Sequence, residues 1–332
     1  MAARARPRVG FAVALVVSAP VGLLLCWPQA LGAQTWLVVA QVLSFRVVVA
    51  VTLILLALLL AVLALLRGRV GAAAGIAVVC ALAGVTSVAV LAARGWHGEL
   101  PPAGRDSGDV VVAAWNTQYG GADPASVARL VMETDADIVS LPETGERVAG
   151  ETAQLLADEG KQLVPHTTYG DDSPLPTSVL IASDLGAYRL DDAAGSTPRI
   201  PSGAWVPIDG VGPVIVAAHT MPPLPSAIDD WRAGLEWVRE RCSGNANVIL
   251  AGDLNATLDH LHSFLGGCRD TAAEAGGAAT GSWTTMLPTW LATPIDHVLV
   301  GEGWRVRGAR VLTSFDDAGS DHRPIVAVLA RR

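Results

Sequence analysis

Residues 247–255 read NVILAGDLN and residues 319–329 read GSDHRPIVAVL. Each joins an apolar run of strand length to a cluster of acidic, amide and imidazole side chains. The runs lack polar alternation, and continuous Val/Ile/Leu/Ala content suits strands buried on both faces. Working outward, apolar runs of this kind recur at 109–116 (DVVVAAWN), 138–141, 178–183 (SVLIAS), 204–208, 213–219 (PVIVAAH), 247–252, 295–300, 304–312 and 324–329. Amphipathic stretches between them predict helices over 124–133, 146–159, 228–241 and 258–265, the first with Asp123 as N-cap and Pro124 at its first position. Strands and helices interleave without a strict βαβ repeat, and no dinucleotide glycine fingerprint follows the first strand. A mixed, layered α/β domain over residues 109–332 follows.

Polar residues gather at the strand ends. Asn116 closes DVVVAAWN, Glu143 follows IVSLP, and His219 closes VIVAAH. Asp253 and Asn255 follow NVILAG, Asp296 opens IDHVLV, and Asp321 and His322 precede RPIVAVL. One Asn or Asp at a strand end is by default a turn former. Together, these residues are the types that bind metal or phosphate. Asn116, Glu143 and Asp321 offer hard oxygen ligands suited to Mg²⁺ or Mn²⁺, and the absence of a compact Cys/His group argues against zinc. His322 with Asp296 makes a carboxylate-oriented imidazole, a base or a phosphate-binding cation. Asp253 can orient or deprotonate water, Asn255 can donate to a phosphoryl oxygen, and His219 can bind phosphate or protonate a leaving group. The set describes metal-assisted phosphoester hydrolysis.

The whole chain has 332 residues, 51% of them hydrophobic, and a mean hydropathy of +0.42, too apolar for a wholly soluble or a disordered protein. Residues 9–27, 47–66 and 70–92 are each long enough to cross a bilayer core of about 30 Å, so residues 1–93 read as an anchor of three transmembrane helices. Starting the second span at 47 keeps Arg46 out of the hydrocarbon. Arg4, Arg6, Arg8, Arg67 and Arg69 lie on one side of the spans and Arg46 and Arg94 on the other, which places the N-terminus in the cytoplasm and the polar domain outside a multi-pass cell membrane protein. Residues 94–108 (RGWHGELPPAGRDSG) read as a Pro/Gly linker that holds the domain near the bilayer, with Trp96 and His97 as interfacial residues. Residues 105–332 carry 16 Lys+Arg against 30 Asp+Glu, a charge of −14. That balance opposes a stable nucleic-acid partner, whose phosphates would need cations to neutralise them.

Several residues have plainer readings. Asp259, His260 and His262 (DHLH) sit at helical spacing and read as a solvated helix start; His297 faces away from Asp296 and reads as structural. His166 and Tyr169 line a pocket or a loop. Trp231 and Trp237, six apart, read as core or membrane-facing. Cys26 and Cys80 are apolar fillers within spans, whereas Cys242 and Cys268 can form a disulfide if their domain lies outside the cytoplasm.

The order of motifs resembles the endonuclease/exonuclease/phosphatase (DNase I-like) superfamily from about residue 110 to 328. WNTQYG, LPET, AAHTMPP, AGDLN, PIDHVLV and GSDHRPIVAVL are similar to its Asn, metal-Glu, His-then-Pro, Asp-x-Asn, Asp and closing Ser-Asp-His motifs. DDWRAGLEWV and GSWTTM are similar to its Arg-bearing helix and Trp segment. The pattern departs at Gln118, where some nucleases carry a second acidic ligand, and at Pro142, where Gln often precedes the glutamate. The resemblance implies a four-layer α/β sandwich with a divalent metal at one edge of the strands. With the anchor, the chain also resembles the membrane-anchored actinobacterial members, including VanJ-type teicoplanin-resistance proteins. The linker that holds the domain near the bilayer, its outward side and its charge of −14 point to an extracytoplasmic phosphohydrolase acting on a lipid-linked (polyprenyl) phosphate or diphosphate, and the VanJ-type resemblance implies a link of such activity to glycopeptide resistance. The alternatives are a nuclease or sphingomyelinase-type phosphodiesterase, and a non-catalytic binding or sensor protein on the same scaffold.

Overall fold

A computed structural model of the chain describes residues 5–67, 70–101, 105–169 and 175–332. It divides into two compact units, Met1–Ala93 and Arg94–Arg332. Arg4 and Arg69, two of the arginines behind the expected orientation, lie outside the described residues.

The first unit consists of α1 (Ala5–Cys26), the short α2 (Val39–Ser44), α3 (Arg46–Leu66) and α4 (Ala72–Arg94). Three apolar stretches within it, Arg8–Cys26, Arg46–Leu66 and Ala72–Arg94, are long enough to cross a membrane. Small residues let these helices approach. A Cβ at Gly75 would meet the carbonyl of Phe11 on α1, and one at Gly84 would meet Ile54 and Ala50 on α3. Cys80 is buried beside Leu53, Ala57 and Ala83, and it and Cys26 are free thiols. Arg46 is not simply left outside the apolar core. It opens α3 and donates from Nη1 to the carbonyl of Cys26 at 3.1 Å, satisfying a carbonyl at the end of α1.

The second unit contains β1 (Val110–Ala114), α5 (Pro124–Thr134), β2 (Ile138–Pro142), α6 (Glu146–Asp158), β3 (Leu163–Thr168), β4 (Thr177–Ala182), β5 (Tyr188–Leu190), β6 (Gly203–Pro207), β7 (Val214–His219), α7 (Ile228–Cys242), β8 (Val248–Asp253), α8 (Leu258–Leu261), β9 (Arg269–Asp270), α9 (Thr271–Glu274), β10 (Asp296–Val300), β11 (Trp304–Val311) and β12 (Ile325–Arg331). These strands form two six-stranded sheets, in the orders β11-β12-β1-β2-β4-β3 and β5-β6-β7-β8-β10-β9. Val112, Ala114, Ile138 and Ile181 of the first sheet share one core with Ile215, Ala217, Ile249 and Val298 of the second. The alternate residues Val111, Ala113, Val139 and Leu180 pack with Val127, Leu130, Val131 and Leu156 of α5 and α6. Strands buried on both faces therefore read as unbroken apolar runs. With α7 packed beside β8, the domain is an α/β sandwich of two sheets, the fold class expected.

Three strands escape the sequence pattern. β3 lies at a sheet edge, exposes Val164 and Pro165 and carries a proline that a central strand would exclude. β5 and β9 are too short to show a period.

Of the stretch read as a spacer, residues 102–104 lie outside the described residues, and Arg94–His97 are built onto the domain. Arg94 and Gly95 accept backbone hydrogen bonds from Ala278 and Ala279, His97 donates to Gly276, and Thr280 donates to the carbonyl of Trp96. Arg94 grips Asp259 through both terminal guanidinium nitrogens, Nη1 and Nη2, each at 2.9 Å. This corrects the solvated reading of DHLH at two of its residues: Asp259 and His260 are buried, and His260 accepts from the Thr257 amide in a capping box at the start of α8, while His262 is exposed as expected. Trp231 packs edge-on to His260 and is fully buried.

Cys242, the last residue of α7, is bonded to Cys268 across a sequence separation of 26, with Cα atoms 5.4 Å apart. Closing a loop of this size removes unfolded-state entropy worth about 3–4 kcal/mol. Cys242→Ser with Cys268→Ser should therefore lower the unfolding midpoint of the full chain, followed by tryptophan fluorescence. Unchanged midpoints with and without the bond would refute that contribution.

Candidate active site

Register alone brings the polar strand ends together. In the second sheet, parallel β7 and β8 pair His219 with Asp253, and antiparallel β8 and β10 pair Asp253 with Asp296. In the first sheet, β1 lies parallel to β2 and antiparallel to β12. The residues after β1 and β2 (Asn116, Glu143) and those before β12 (Asp321, His322) thus share one end. Because the sheets stack, that end faces the end bearing His219, Asp253 and Asp296.

All eight expected residues converge there. Asn116 Nδ2 donates to Glu143 Oε1 at 3.1 Å and to Asp253 Oδ2 at 3.0 Å. His219 Nε2 lies 3.9 Å from Glu143 Oε1 and 3.8 Å from Asp253 Oδ2. His322 Nδ1 bonds Asp296 Oδ2 at 2.9 Å, and its Nε2 lies 3.8 Å from Asp253 Oδ2 and 3.9 Å from Asp321 Oδ1. Glu143 and Asn255 hold their carboxylate and amide from left-handed backbone, φ 58° and 44°, a local cost that surrounding structure must impose.

Two residues sit differently from their expected roles. Asn116 turns its amide nitrogen, not its oxygen, toward the carboxylates, because its Oδ1 accepts from the Gln118 amide at 2.9 Å. Here its Nδ2 bridges Glu143 and Asp253. Asn255 Nδ2 donates to the carbonyl of Thr220 at 2.9 Å and approaches Asp253 Oδ2 at 3.5 Å, tying the loop after β7 to the loop after β8.

Supporting groups were less visible in the sequence. Ser320 Oγ donates to the Asn116 carbonyl and accepts from the His322 amide. Ser282 Oγ accepts from the amides of Ile295 and Asp296. Trp283 Nε1 donates to Asp321 Oδ2 at 2.9 Å, the Tyr119 amide donates to Glu143 Oε2 at 3.0 Å, and Gln118 Oε1 accepts from the Asp321 amide. Gln118 thus holds the closing Asp-His segment. The only sequence signals for Ser282, Trp283 and Ser320 are the small motifs GSWTTM and GSDH. His297 is structural as expected, buried between Asp270 and the carbonyl of Ala256. His166 lies half-buried on β3 with its ring 6.2 Å from that of Trp205.

The electrostatics separate the two imidazoles. Burial disfavours a charge on His322, but Asp296 and Asp253 outweigh it and raise its pKa to about 9. Burial, reinforced by cationic His322, lowers His219 to about 3, so it stays neutral. A neutral His219 can donate to a phosphoryl oxygen but is a poor acid for a leaving group. Burial and the nearby Asp296 charge push Asp253 well above the usual carboxylate range.

The donor set fits a hard divalent cation. Four carboxylates converge, and Asp296 Oδ1 is buried with no hydrogen-bond partner, as is His219 Nδ1. Ligand atoms of Asp253, Asp296 and His322 fall within 4.8 Å of one another. Cationic His322 competes with a metal for those two carboxylates, however, so Glu143 and the more exposed Asp321 remain the better ligands.

The family model for the endonuclease/exonuclease/phosphatase family matches residues 113–322, which include all eight of these residues. A comparison with curated proteins finds no match. Among solved structures, a humanized D. rerio TDP2 carrying 14 mutations is similar at 12% identity and a TM-score of 0.51, over 67% of this chain and 99% of that one. TDP2 from C. elegans aligns at 17% identity and 0.50, over 68% and 76%. An endonuclease/exonuclease/phosphatase from Bacteroides vulgatus aligns at 15% and 0.50, over 68% and 99%. These likenesses are of fold. On the match of the family model, the chain belongs to the endonuclease/exonuclease/phosphatase family.

Proposed function

We propose that this chain is a membrane-anchored, metal-dependent phosphoester hydrolase that acts outside the cytoplasmic membrane on a lipid-linked phosphate or diphosphate, such as the polyprenyl phosphates of cell-wall synthesis. The observation that carries the hydrolase reading is the contact chain Glu143–Asn116–Asp253–His322–Asp296, which gathers acids, an amide and a cationic imidazole at the end of two stacked sheets. Glu143 and Asp321 would hold Mg²⁺ or Mn²⁺, which when bound supplies a Lewis acid that polarises a phosphoryl oxygen. Asp253, with its raised proton affinity, accepts a proton from attacking water. His322, held cationic by Asp296, stabilises charge on the phosphoryl group, and neutral His219 donates to a phosphoryl oxygen. Asn116 and Asn255 position Asp253.

Three observations support the lipid and the location. Three apolar helices precede the domain. The Cys242–Cys268 bond suits an oxidising compartment. A domain charge of −14 disfavours a long polyanion, whereas a metal and one imidazolium can meet one or two phosphates. Glycopeptide resistance through altered handling of lipid-linked wall intermediates is the corresponding biological role, and VanJ-type proteins are the corresponding subgroup. The test offers polyprenyl phosphate, polyprenyl diphosphate, sphingomyelin and plasmid DNA to purified full chain with Mg²⁺. Lipid phosphates should be cleaved preferentially; cleavage of DNA with the lipids untouched would favour the nuclease. A reporter fused after Arg332 that works only outside the cytoplasm should be active, and its silence would return the domain to the cytoplasm.

A further inference from the structure

The loops around the site carry apolar side chains that have no core to fill. Met286 and Tyr119 are 88% and 74% exposed, more than any other large apolar side chain described in the domain; Trp290 is 54% and Leu224 50% exposed. All four come from segments tied to the site. Tyr119 follows Asn116 and its amide holds Glu143. Leu224 lies on the loop after His219. Met286 follows Thr285, whose amide donates to the Asp321 carbonyl, and Trp290 lies between Trp283 and Thr293, which form a bridge. The 284–287 segment is firmly held: the guanidinium of buried Arg323 donates to the carbonyls of Thr284, Thr285 and Leu287 and pairs with Asp316. The backbone that carries Met286 is therefore fixed in place.

We propose that this rim is a bilayer-docking surface: Met286, Trp290, Tyr119 and Leu224 enter the boundary between headgroups and acyl chains around the mouth of the site. The inference rests on the reading of the site as a hydrolase of lipid-linked phosphate, and it names how such a headgroup is presented. A bilayer is the occupant because the same chain carries three membrane-length helices and the domain begins at Arg94, where the last of them ends. Trp, Tyr and Met are side chains that interfaces accept, and burial about 5–10 Å deep is characteristic of surface-bound elements. Charge cannot do this work. At −14 the domain is repelled by anionic headgroups, so docking is apolar and survives high salt and zwitterionic lipid.

The test uses the full chain with Cys26→Ala and Cys80→Ala, which removes both free thiols. A single cysteine is placed at Met286, or at Ile208 in the turn between β6 and β7 at the opposite end from His219, and labelled with an environment-sensitive dye. The protein is reconstituted in phosphatidylcholine vesicles carrying a nitroxide high on the acyl chain. Quenching and a blue shift at 286 but not at 208, unchanged at high salt, are expected. Equal, solvent-like emission at both positions would overturn the proposal. Quenching at 286 only at high protein-to-lipid ratio, by contact between copies, would also overturn it. The readout needs no turnover: a quenched but catalytically inert chain would sink the hydrolase reading and leave docking standing, and an active, unquenched chain would do the reverse.

Discussion

His322→Ala should lower kcat on a soluble phosphodiester by about 10²–10⁴-fold while the domain keeps its fold. The ring is the only cation within reach of Asp253, Asp296 and Asp321 together among the described residues. The fold is spared because the backbone at 322 makes its own bonds, the amide to Ser320 Oγ at 3.0 Å and the carbonyl to Trp115 Nε1 at 2.8 Å. Steady-state rates beside circular dichroism decide it, and a loss under about tenfold would contradict the assigned role. Asp296→Asn supplies a signed companion result. Asp296 raises the pKa of His322 toward about 9, so a cationic His322 is available below that value and lost as pH rises through it. Removing the carboxylate lowers that pKa, and the alkaline limb of the activity profile should move to lower pH.

Glu143→Gln should weaken Mn²⁺ binding at least about 10–100-fold, a range seen even for groups behind the ligands, with activity partly recovered at high metal concentration. Both oxygens of Glu143 are positioned from outside it, Oε1 by Asn116 and Oε2 by the Tyr119 amide. The amide replacement keeps its shape and removes its charge. Titration calorimetry of the full chain checks this, and unchanged affinity would move the metal to other residues.

The inner strands and the polar residues at their ends were legible because one physical constraint writes both. Strands covered on two faces, such as β1 and β8, need continuous apolar residues. A break into Asn116 or Asp253 at the end of such a run therefore marks a site or a turn. What pattern cannot carry is partnership across the chain. Asn116 was read as an oxygen ligand, and only the Gln118 amide, which occupies its Oδ1, shows that it faces the site as a donor. Asp259 looked like a surface acid because its partner, Arg94, lies 165 residues away. Arg94–Gly98 looked like a spacer because Gly, Trp and His give no period, yet its backbone pairs with residues 276–279. Ser282 and Ser320 are small polar residues of a kind that fill any loop, and their roles appear only once the amides they serve are in place.

The most direct measurement is hydrolysis of a soluble phosphodiester by the purified full chain, before chelation, after EDTA, and after readdition of Mg²⁺ or Mn²⁺, beside Asp253→Asn. Turnover by the wild type that EDTA abolishes and metal restores, and that Asp253→Asn lacks throughout, is the predicted result. A folded, metal-loaded wild type that cleaves no phosphoester, or an Asp253→Asn variant as active as wild type, would contradict the account.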